Sequence, residues 1–98
     1  MSAIENLRGQ IDEIDGELLR LVSRRAQIAI KIAAWKRPAG LPSYSPDRER
    51  EVLSLACRAN AGPLDNLAVK RLFRAIIREM KGARAACTRA GQAREAMK

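Results

Sequence analysis

The feature that most constrains this chain is a seven-residue repeat that runs unbroken through its first third. Ile4, Ile11, Leu18, Arg25 and Ile32 form one register, and Leu7, Ile14, Leu21, Ile28 and Trp35 form another, three residues on. Side chains at this spacing share one stripe of a helix and make the seam of paired helices. Ser2 with Glu5 three residues later has the form of a capping box, and Pro38 and Gly40 end the run. The pattern predicts one helix of about 34 residues, about 50 Å long at 1.5 Å per residue. A compact chain of this size has a radius of gyration of only about 13 Å. The residues that remain cannot cover such a helix, so its apolar stripe calls for a second copy of the chain. A homodimer with paired long helices is the expectation.

Two more helices follow. Residues 38–44 (Pro-Ala-Gly-Leu-Pro-Ser-Tyr) read as a loop by their Pro and Gly content. Ser45 then stands as N-cap, with Pro46 at the first helical position and Asp47 and Glu49 in the first turn. This second helix runs to about Ala59 and is stopped by Asn60, Gly62 and Pro63. Asp65 or Asn66 caps a third, whose apolar face is Val69, Leu72, Phe73, Ile76, Ile77, Met80 and Cys87. Beyond Thr88 the chain is Ala-rich and charged with Gly91 inside it, which predicts fraying and divides the chain into a domain at 1–90 and a tail at 91–98. The expected fold is all-α, with three helices per chain (one long, one short, one medium) in an intertwined homodimeric bundle.

Charge and composition narrow the function. The chain carries 19 Lys+Arg against 11 Asp+Glu, a formal charge of +8, which first suggests nucleic acid or another polyanion. Only Trp35, Tyr44 and Phe73 are aromatic, too few to stack a run of single-stranded bases. The charge is also uneven: residues 1–19 net −4, 20–37 net +6, 38–66 net −1 and 67–98 net +7. The chain has no histidine, and its two thiols, Cys57 and Cys87, lack a CxxC spacing. Zinc chemistry, Ser-His or Cys-His nucleophiles and histidine acid–base catalysis are thereby disfavoured. The N-terminus lacks the layout of a signal peptide and no apolar run is long enough to cross a bilayer, so a cytoplasmic location is expected.

Two arginines break the apolar pattern. Arg25 occupies a seam position of the first helix, and Arg84 continues the Phe73, Ile77, Met80 face of the third. A buried guanidinium cannot escape its desolvation cost by losing a proton, so each needs an anion or a watery cavity. Lys36 follows Arg25 by eleven residues, about 20° from the same helical face. Arg48 and Glu49 open the second helix, where backbone N–H groups already favour an anion. The plainer readings are a snorkelling Arg25, a solvated Arg84, a Lys36 that serves the helix dipole, and two cysteines that pack as small hydrophobes. The spacing by itself supports a helical dimer with a cationic internal pocket.

The ordered set of residues resembles a known family. It comprises Arg8 in Leu-Arg-x-x-Ile-Asp-x-Ile-Asp, Leu18-Leu19 followed by Arg24-Arg25, Lys36, Ser45-Pro46-Asp47-Arg48-Glu49, and Arg71-Leu72-Phe73-x-x-Ile76-Ile77. Together these are similar to the all-helical chorismate mutases over residues 4 to 86, most of all to the mutase domain that bacteria fuse ahead of prephenate dehydratase. The resemblance implies a unimolecular rearrangement of chorismate to prephenate that needs no cofactor and no metal. It implies that Arg25 and Arg48 bind the substrate carboxylates, with Arg8 reaching in from the partner chain. Lys36 would donate to the ether oxygen and to a carboxylate, and Glu49 would hold the ring hydroxyl. Ser45 and Met80 would contact the substrate. Where the family usually has Gln or a protonated Glu donating to the ether oxygen, this chain has Arg84, a permanent donor. Met80 replaces a frequent Ser. The same pocket type also suits an isochorismate pyruvate lyase, and the +7 segment leaves a basic helical module for nucleic acid or protein as a reading of another class.

Overall fold

The computed structural model describes residues 2–42 and 45–96, with side chains as far as Thr88. Ser43 and Tyr44 of the expected loop, and the last two residues of the expected tail, lie outside the described residues. Three helices account for the architecture: α1 (Ala3–Lys36), α2 (Pro46–Ala59) and α3 (Asn66–Ala96). The described residues contain no strand.

Each helix begins and ends for a local reason. Ser2 Oγ accepts the Glu5 amide at 3.1 Å, which starts α1. Pro38 has no N–H to continue the ladder, and the chain leaves α1 through bonds from Gly40 N–H to the Arg37 carbonyl (3.1 Å) and from Leu41 N–H to the Lys36 carbonyl (3.1 Å). This Schellman pairing needs a left-handed residue, which Gly40 supplies at φ +70°. Ser45 Oγ accepts the Arg48 amide at 3.2 Å, with Pro46 in the first turn of α2. Asp65, rather than Asn66, caps α3: its Oδ1 accepts the Ala68 amide at 2.7 Å. Asn60 stops α2 and binds the turn together, its side-chain amide donating to the Leu64 carbonyl (2.8 Å) and to Asn66 Oδ1 (3.0 Å). The backbone of α3 is helical through Ala96.

Packing is centred on α3. Both α1 and α2 pack against it, and they do not pack against each other. The core of the described residues is small: Leu53 of α2 with Val69 and Met80 of α3 are the only buried apolar side chains. Phe73, Ile76 and Ile77 are half-buried. Two residues assigned by sequence to the apolar face of α3 are corrected here, since Leu72 and Cys87 are exposed. Cys87 lies beyond Arg84, the last residue of α3 that lines the space between α1 and α2.

The seam of α1 remains open to solvent in the single chain. Its apolar members from Ile4 to Ile32 are about half exposed, and Trp35 is 83% exposed. The molecule is accordingly elongated, with a radius of gyration of 17.6 Å and extents of 58 × 32 × 15 Å. No described helix is long and apolar enough to cross a membrane.

The cap of α3 provides a test. Asp65→Ala removes the acceptor for the Ala68 amide and is expected to lower unfolding free energy by about 1 kcal/mol, measured by urea denaturation at fixed protein concentration; Asp65→Asn, which keeps an acceptor, should lose much less.

Candidate active site

Because α1 and α2 meet α3 but not each other, a cleft opens between them with α3 as its floor. Its cavity volume is about 240 Å³, just below the ~300 Å³ at which pockets for drug-sized ligands begin. One side is open. On α1, Arg25, Ala29, Ala33 and Lys36 follow one another up the wall. On α2, Ser45, Arg48, Glu49 and Val52 form the opposite wall, and Ile77, Met80 and Arg84 of α3 form the floor. Met80 is the most buried of the three core side chains, at 2% exposure. The cleft thus brings together Arg25, Lys36, Ser45, Arg48, Glu49, Met80 and Arg84, seven of the eight residues singled out by sequence.

Arg8 is the exception. It is exposed on α1, seventeen residues before Arg25, about 25 Å away along the helix. No bend of α1 brings it to its own cleft.

Four cations and one carboxylate line the cleft. Arg25 is half-buried, and its guanidinium is held below the usual arginine range by burial first, then by repulsion from Arg48 and Arg84. A base whose charged form is disfavoured on folding costs stability at every pH at which it stays protonated; arginine stays protonated, so relief comes from water in the cleft or from an anion. Arg84 is strained in a different way: its Nε is buried without a hydrogen-bond partner. This contradicts the plainer reading of Arg84 as a solvated residue beyond the core. Arg48 pairs with Glu51 at 2.7 Å, but both side chains are well exposed. Such a pair contributes at most about 1 kcal/mol, so Arg48 can exchange Glu51 for a ligand at little cost. Among the described residues the ion pairs Arg48–Glu51 and Arg50–Asp47 involve none of Arg25, Lys36 and Arg84.

Neighbouring bonds fix the positions of these groups. The Ser45 hydroxyl accepts the Arg48 amide, which orients the start of α2 and leaves the hydroxyl proton for a ligand. Thr88 Oγ1 donates to the Arg84 carbonyl (3.0 Å) and accepts from Arg37 Nη2 (3.0 Å). The end of α1 is thereby tied to the turn of α3 that carries Arg84. Sequence reasoning missed the Arg37–Thr88 link, which joins residues 51 positions apart. It also passed over Ala29 and Ala33, although small residues at i+4 and i+8 from Arg25 are a readable sign of space on that face. Among the described residues no His, Cys, Asp or Glu group is arranged to hold a metal ion.

The helical fold and the cationic cleft define a class that comparison with known proteins makes specific. The model of the family chorismate mutase type II matches residues 7–84, and the chain belongs to that family. The bifunctional chorismate mutase/prephenate dehydratase of Aquifex aeolicus is 38% identical over 81 residues, 79% of this chain and 22% of that protein. This chain therefore spans about a fifth of the length of such bifunctional relatives. The 4-amino-4-deoxychorismate mutase of Streptomyces venezuelae is 36% identical over 78 residues, 79% of this chain and 76% of the relative. Among solved structures, chorismate mutase from Helicobacter pylori in complex with prephenate superimposes with a TM-score of 0.83 at 29% identity, covering 91% of this chain and 97% of that one. Form I of the Thermus thermophilus chorismate mutase gives a TM-score of 0.79 at 33% identity, covering 81% of this chain and 99% of that one.

If Arg84 is held against stability, removing its charge should stabilise the empty protein. Arg84→Met is expected to raise unfolding free energy by about 1 kcal/mol, measured by denaturation without added ligand; a loss of stability would show that Arg84 is a structural residue.

Proposed function

We propose that this chain catalyses the rearrangement of chorismate to prephenate as a homodimer with shared sites. The observation that carries the reading is the cleft itself, lined by Arg25, Lys36, Arg48 and Arg84 with Glu49 as the only carboxylate among the described lining residues. Membership of the chorismate mutase type II family supports it, as does the likeness to a relative solved with prephenate.

In this reaction an ether C–O bond breaks as a new C–C bond forms, and no proton has to leave. The protein needs to hold the compact conformer and to place positive charge where the ether oxygen becomes electron-rich. Guanidinium forks match carboxylates edge to edge, so Arg25 and Arg48 take the two carboxylates. Lys36 and Arg84 donate to the ether oxygen. Glu49 accepts the ring hydroxyl, with Ser45 beside it, and Met80 supplies an apolar floor. A chain without histidine is suited to such chemistry. No cofactor enters the scheme, the substrate is a small molecule rather than nucleic acid, and we place the enzyme in the cytoplasm.

The dimer supplies Arg8. Nine seam residues of α1, from Ile4 to Trp35, are about half exposed or more. Covering them would contribute on the order of 10 kcal/mol per chain at about 25 cal/mol per Å², enough to offset the cost of association. In an antiparallel pairing about a dyad near residues 19 and 20, Arg8 of one chain falls beside the Arg25 to Lys36 stretch of the other. It would then close the open side of the cleft.

Ultraviolet loss of chorismate with appearance of prephenate tests the activity, and Arg25→Ala should lower kcat/KM at least about 100-fold, or about 2.7 kcal/mol. A folded dimer that yields no prephenate overturns the proposal, and pyruvate release from isochorismate in its place would assign a lyase. Arg84→Glu is expected to turn over faster as pH falls, because a carboxyl donates only when protonated, whereas the parent should lack that acid-dependent limb; pH–rate profiles of the two distinguish them. Leu18→Lys puts charge near the dyad and should give an inactive monomer by sedimentation, while an active monomer would refute the shared site.

A further inference from the structure

A second groove lies on the other side of α2. Arg50, Ser54 and Arg58 of α2 face Asn66, Lys70 and Arg74 of α3 across a volume of about 490 Å³. The first three sit on the face of α2 roughly opposite to Ser45, Glu49 and Val52, so this groove and the cleft are separated by the helix itself. The size falls in the ~300–1,000 Å³ range of small-molecule sites.

Leu53 and Cys57 contribute apolar surface to the groove, and its other lining side chains carry hydrogen-bond donors. Among the described residues it contains four cationic side chains and no carboxylate. Arg50 is paired with Asp47, one turn back on α2, but Arg58, Lys70 and Arg74 enter none of the ion pairs among the described residues. Asn66 is oriented as a donor too. Its Oδ1 is occupied by the Asn60 amide at 3.0 Å, which leaves its own NH₂ as the group free to meet a ligand. Like charges across a concave surface repel, and a multiply charged anion between the walls removes that repulsion.

We infer that this groove binds a small phosphate-bearing anion of the pyrophosphate type. The cations stand on both walls, two from each helix. A carboxylate is planar and presents one edge, whereas tetrahedral phosphates present oxygens toward both walls at once. Arg58 and Arg74 offer forks for pairs of phosphate oxygens, and Lys70 acts as a point charge between them. The site is distinct from the cleft and does not depend on the reaction assigned there.

The test is a ¹H–¹⁵N NMR titration of the full chain with pyrophosphate at low ionic strength, with citrate at matched ionic strength as the carboxylate arm. Saturable shifts are expected at the amides of residues 50–58 and 66–74, with citrate at least tenfold weaker. A Lys70→Ala/Arg74→Ala variant should bind pyrophosphate at least tenfold more weakly, and Arg58→Ala, on the other helix, should weaken it independently. Shifts confined to residues 25–36 and 84, citrate binding as tight as pyrophosphate, or undiminished binding by Arg58→Ala would each overturn the inference.

Discussion

A helix of 34 residues cannot be covered by the chain that contains it, and the remaining features of the molecule follow from that mismatch. α3 packs against α1, while α2, at 14 residues, packs against α3 and not against α1. The consequences are a core of three buried apolar side chains among the described residues and an exposed seam running the length of α1. The same mismatch opens the cleft. Had α2 been long enough to lie flat on both α1 and α3, the space beside Ala29 and Ala33 would have been filled by side chains.

The charges in the cleft set stability against binding. Three guanidiniums and an ammonium line a partly desolvated space, and Arg25 carries the penalty of burial and of two cationic neighbours. A protein selected for stability alone would place apolar residues at these positions. Keeping the cations on rigid helices, with Ser45 fixing the start of α2 and Thr88 tying Arg84's turn to Arg37, means they need not be gathered when a ligand arrives. Arg84 extends this logic. A guanidinium donates at any working pH, and here it adds to the repulsion felt by Arg25.

The net charge of +8 therefore has more than one origin. Part of the positive charge lines the cleft and part lines the groove between α2 and α3, and the other described Lys and Arg side chains outside them are exposed. Composition gives only the sum. Whether a given lysine or arginine confronts another cation or only water depends on which helices lie side by side.

Much of the fold was legible without coordinates because helix limits are local. Ser2, Pro38, Ser45, Asn60 and Asp65 act on neighbours within a few residues, and the heptad spacing marks the stripe of α1. Arg25 and Lys36 were legible for the same reason, being charges on a face of otherwise apolar or small residues. What the sequence left open are relations between distant parts of the chain. The burial of Arg84 Nε, the Arg37–Thr88 bond, the exposure of Cys87 and the donor-lined groove all depend on where α3 lies against α1 and α2. Periodicity along one helix determines which residues share a face; only packing decides what that face meets, because burial and electrostatic cost are set by neighbours remote in sequence.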